Sequence, residues 1–188
     1  MHKNFKDRTG ETNYNTFGDK IEIIKYNGAL EITVKFDNGY LLETDYNNFK
    51  KGMIRSPYSK TIYKKGYLGE GKYKPSINNI PTIQYMYWKS ILSRCYNEKS
   101  LKKNPTYIDC EVHSEWHNFQ NFAKWFDENY YKVNNEVMCL DKDILCKNNK
   151  VYSSKNCVFV PNNINIMFTK RQNYRGKYPI GVSNKNLS

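Results

Sequence analysis

Apolar and polar residues alternate in three short runs near the start of the chain, at positions 21–26, 30–36 and 40–44. Ile32, Val34 and Phe36 fall on one side of the pleat and Thr33 and Lys35 on the other, so one face is expected to be buried. Asn27-Gly28 and Asp37-Asn38-Gly39 divide the runs and supply the residues that hairpin turns need. A small antiparallel sheet or barrel follows from this pattern. The period then changes. Between 82 and 96, Tyr85, Trp88, Ile91 and Leu92 recur at helical spacing, with Pro81 suited to the opening turn. After an extended piece at 107–112, a second helix is expected from about Ser114, on the stripe Trp116, Phe119, Phe122 or Ala123, and Phe126.

The last patterned stretch is the densest. An apolar run ends at Leu140 and meets the polar triplet Asp141-Lys142-Asp143, and Lys147-Asn148-Asn149-Lys150 then turns the chain. Val151-Tyr152 and a second apolar run at 157–160 lead to Pro161, placed as the first residue of a short helix carrying Ile164, Met167 and Phe168. Strand, turn, strand, helix is the expected order. The fold class is therefore α+β: a small N-terminal antiparallel β module, then helices packed on a C-terminal ββα finger. Composition shifts divide the chain into a polar arm (1–19), the β module (20–71), a linker (72–80), the helical layer with its finger (81–168) and a basic tail (169–188).

Composition narrows the function classes. At 188 residues the chain can bury one good core or two small ones. Thirty Lys and Arg against 18 Asp and Glu give a net charge of +12, which suits a polyanionic partner. The 17 tyrosines carry no functional weight, because a Lys/Asn/Tyr/Ile bias also follows from an AT-rich genome. No apolar run approaches the ~18–20 residues that span a bilayer, and the start MHKNFKDRTG lacks the core of a signal peptide. A cytoplasmic protein with no membrane partner is expected. Five scattered cysteines fit free thiols in a reducing compartment better than a disulfide framework.

The finger's polar positions resemble the ββα-metal finger of HNH endonucleases, in the phage and mobile-element group. There an Asp-His pair ends the first strand, an Asn precedes the second, and a further Asn or His lies on the helix. Asp141 matches the Asp, Asn156 the Asn that braces the loop, and Asn165 the helix ligand. The phrases YWKSILSRCY and WHNFQNFAKWF look like the segments preceding the finger in such phage proteins, so the resemblance covers residues 82–168. FDNGY and YNNFKKG resemble their N-terminal module, and RGKYPIGVS resembles the entry to the DNA-binding domain of plant ethylene-response factors. The chain departs from the pattern at one decisive place: Lys142 occupies the position of the catalytic His.

The resemblance implies a DNA partner and one divalent cation, Mg²⁺, held by oxygens of Asp141 and Asn165 beside the reacting phosphate. It also implies a base that takes a proton from water, a role imidazole suits unperturbed and an amine, near ~10.4, does not. Two classes of function stay open. One is a metal-dependent endonuclease using Asp141, Lys142, Asn165 and Asn156. The other is a non-catalytic protein reusing the fold, directed at DNA or at a protein partner. Lys170, Arg171, Arg175 and Lys177 in the tail are expected to contact nucleic acid. Cys110 and His113, with Cys139, Cys146 and Cys157, give only one closely spaced pair, so buried thiols are expected rather than a structural zinc. His117 reads as a helix-surface residue.

Overall fold

The computed structural model describes residues 6–168. Two apolar cores organise them. The first lies under a four-stranded antiparallel sheet in the order β1 (Thr12–Tyr14), β2 (Lys20–Gly28), β3 (Glu31–Phe36), β4 (Leu41–Thr44). Ile21 and Ile23 from β2 and Ile32, Val34 and Phe36 from β3 point inward, at the alternation expected. Phe49, on the short helix α1 (Tyr46–Lys50), and Ile54 close this core.

The segment expected as a polar arm is part of this unit. Thr12–Tyr14 pairs with β2, the Arg8 guanidinium stands 4.2 Å over the Tyr46 ring, and the Asn13 amide donates to the Phe49 carbonyl. A three-residue edge strand has no periodicity of its own; its partner's free edge orders it.

Residues 72–80, expected as a linker, run into a two-stranded hairpin, β5 (Ser76–Ile77) and β6 (Ile80–Pro81). Asn78 and Asn79 form its turn with φ of 49° and 63°, the left-handed pair a two-residue hairpin requires. Pro81 therefore ends a strand, and Thr82 caps α2 (Ile83–Tyr96), its hydroxyl accepting from the Tyr85 N–H. Upstream, Ile62, Tyr63, Leu68 and Tyr73 pack against the second core rather than the first. Gly66 is needed there: a Cβ would meet Leu92 Cδ1 at 2.5 Å and Trp88 Cζ2 at 2.8 Å.

The second core is aromatic. Trp88, Ile91, Leu92 and Cys95 of α2 face Phe119, Phe122, Ala123 and Phe126 of α4 (Phe119–Asn129). Between them come α3 (Glu98–Lys103), β7 (Glu111–Val112) and a 3₁₀ turn at Ser114–His117 that seats Trp116. The expected second helix thus breaks at Asn118, whose side chain caps α4 by accepting from the Gln120 N–H. β8 (Met138–Asp141) contributes Met138 and Leu140, β9 (Val151–Tyr152) contributes Tyr152, and β10 (Val158–Pro161) contributes Phe159. Each large side chain buried here contributes about 1.5–3 kcal/mol.

The candidate finger

β8 and β10 pair antiparallel, with Asp141 opposite Val158 and Met138 opposite Pro161. Pro161 is thus the last residue of the strand, and α5 runs over Asn162–Phe168. β9 takes no part in that ladder. It runs parallel to β7, through Glu111 opposite Val151 and Val112 opposite Tyr152, and ties the finger to the segment after α3. Tyrosine hydroxyls pin the hairpin to α2 and to the segment after α4: Tyr87 donates to the Met138 carbonyl at 2.6 Å, and Tyr131 to the Phe159 carbonyl at 2.8 Å.

Strand alternation sorts the β8 side chains. Met138 and Leu140 enter the core, which leaves Cys139 and Asp141 together on the other face. The Cys139 thiol donates to Asn162 Oδ1 at 3.4 Å, which sets the start of α5 against that face. Asn165 lies one turn further along α5 from Asn162, as Asp141 lies two residues further along β8 from Cys139. The Asp141 carboxylate also shapes its own loop, Oδ1 accepting from the N–H groups of Asp143 and Ile144 at 2.7 and 2.8 Å.

Lys142 turns away from this face into the protein. It is only 6% exposed, and Nζ donates to Asp143 Oδ2 and to the Asn149 carbonyl, both at 2.7 Å. Asn149 answers it. Its amide donates to the carbonyls of Lys142 and Val151, and its Oδ1 accepts from the Val151 N–H and from the Asn156 amide. Asn156 therefore reaches the loop through Asn149, which is the residue that joins the two limbs. In the sequence Asn149 is indistinguishable from Asn148, whose φ of 64° makes it the turn residue. Replacing Asn149 with alanine strands two carbonyls and two donors, so a loss of about 1–3 kcal/mol is expected in urea melts, with Asn148→Ala as the comparison.

Asp141 and Asn165 are the oxygen donors that the resemblance assigns to one hard cation; Mg²⁺ keeps most of its waters and needs few protein ligands. The described residues contain no group of three His, Cys, Asp or Glu side chains able to hold a metal. Cys95, Cys110 and Cys157 are buried, and desolvation pushes the thiols of Cys95 and Cys157 up to about 12. His113 is exposed, its backbone N–H bonded to the Tyr152 carbonyl. His117 is not a plain surface residue: its Nε2 is buried without a hydrogen-bond partner among the described residues, and burial lowers its pKa. Lys170, Arg171, Arg175 and Lys177 lie outside the described residues. No family model, curated protein or solved structure matches the chain.

Proposed function

We propose that this chain is a DNA-binding protein built on an HNH-like ββα finger whose base position has become a structural strut, so that it binds without cutting. The observation that carries this reading is Lys142. Where the resemblance calls for a base facing the reacting water, Nζ is buried and bonded to Asp143 and to the Asn149 carbonyl. A general base must be within reach of water, by itself or through one bridging molecule. The charge of +12 supports a nucleic-acid partner, since neutralising phosphates releases counterions.

A second reading, a metal-dependent DNA endonuclease, is favoured by one specific observation. Asp141 lies on the β8 face against which α5 begins, with Asn165 one turn along that helix. Plasmid nicking in Mg²⁺ and in Mn²⁺, run beside fluorescence anisotropy on a labelled duplex, separates the two. The expected result is salt-sensitive binding with intact supercoiled plasmid. Cleavage that requires the metal selects the endonuclease, and a duplex that does not bind at low salt ends both.

A further inference from the structure

Arg94 stands in the last turn of α2 and reaches the finger from outside it. Its Nη1 donates to the Tyr152 hydroxyl at 3.4 Å, and its guanidinium lies 5.9 Å from the centre of the Tyr107 ring. No carboxylate pairs with it: the ion pairs among the described residues are Arg8 with Glu11 and Lys142 with Asp143. Beyond the Tyr152 hydroxyl, no acceptor among the described residues takes any of its N–H groups. A guanidinium is always charged and carries five donors in a rigid fork, so a partly buried one without a counter-charge is an incomplete arrangement.

Its surroundings say where the missing anion belongs. Tyr152 places it: Arg94 bonds the Tyr152 hydroxyl, and the Lys142 ammonium lies 5.9 Å from the centre of the same ring. Lys142 follows Asp141 at the end of β8, so Arg94 stands beside the loop that the candidate cation ligand opens. Lys142, the other cation beside Tyr152, already has its carboxylate in Asp143. Arg94 has none.

We propose that Arg94 is an anion-binding residue that clamps one phosphodiester group of bound DNA beside Tyr152, at the C-terminal end of α2. This rests on the DNA-binding reading above. The fork of a guanidinium matches two phosphate oxygens at once, and the C-terminal end of α2 already favours a cation there. The Tyr152 hydroxyl holds the fork's orientation, and Tyr152 is itself buried.

The test compares the wild type with Arg94→Gln and Arg94→Lys by anisotropy on a labelled duplex across a salt series. Arg94→Gln is expected to weaken binding about ten- to a hundredfold and to lower the log–log salt slope by about 1, while Arg94→Lys keeps the slope. A wild type that binds beside an Arg94→Gln protein of unchanged affinity and slope overturns the clamp and leaves the DNA reading standing. A second measurement needs no variant: inorganic phosphate is titrated into the wild type and the Arg94 Nε–H resonance is followed. A saturable shift there supports an anion site even where the duplex fails to bind. No shift overturns the site whatever the duplex does.

Discussion

Trp88→Ala is expected to cost about 3–5 kcal/mol, a large share of the 5–15 kcal/mol that holds a domain of this size. Trp88 is wholly buried, and its Nε1–H donates to the Trp116 carbonyl at 2.7 Å. Its ring lies 5.3 Å from Phe119 and 5.8 Å from Tyr85, centre to centre. Truncation therefore removes the largest side chain that α2 sets against Phe119 of α4 and leaves a buried carbonyl without its donor. Gly66 cannot fill the space, and the neighbouring rings are fixed by their own partners. The readout is specific, because all three tryptophans, at 88, 116 and 125, sit in or against the second core. Tyrosine and backbone signals from the first core serve as the internal control. Trp88→Phe keeps most of the volume and is expected to cost less than half as much. A melting curve for Trp88→Ala that overlays the wild type would mean this core is not what holds the C-terminal unit together.

How much of this was legible in the sequence depends on where each element gets its order. β2, β3 and β4 are visible because apolar residues alternate along them, with Ile21, Ile23, Ile32, Val34 and Phe36 buried and Leu42 half-buried. α2 is visible because of its apolar stripe, although Thr82 rather than Pro81 opens it. β1 and β9 are not visible. Both are short, and each is ordered by a strand far away in the chain: β1 by β2, and β9 by the parallel β7. The hairpin at 76–81 hides for another reason. Its Asn78-Asn79 turn supplies the left-handed pair without glycine, so the stretch reads as polar coil. At the finger, the strand, turn, strand, helix order is readable from apolar runs alone. What the sequence does not show is direction. Lys142 lies between two aspartates and reads as a solvated turn, yet it points inward because Asn149 offers a carbonyl at the right depth. The polar groups of a loop settle their partners only after the strands have set their positions.

Lys142 is where stability and function can be pulled apart. Lys142→Met removes both Nζ hydrogen bonds. Asp143 is half exposed and regains water, so the loss is that of the Asn149 carbonyl, about 1–3 kcal/mol, rather than the 3–5 kcal/mol of a fully buried pair. Lys142→His costs a similar amount, since an imidazole is too short to serve both partners. It also places an imidazole where the HNH endonucleases that the chain resembles carry one. If the finger is otherwise intact, Lys142→His should nick plasmid in Mg²⁺ where the wild type does not, because general-base catalysis contributes about 10²–10⁴-fold. That activity should rise with pH through ~6.5, as the imidazole loses its proton, and should vanish when Asp141→Ala is added. The endonuclease reading expects the reverse pattern: the wild type nicks, with activity climbing toward alkaline pH as an amine base requires, and Lys142→Met abolishes it while binding persists. Wild-type cleavage that survives Lys142→Met would overturn both. The base would then have to come from elsewhere, and His113 is the first to replace, because it is exposed and its backbone is bonded to β9.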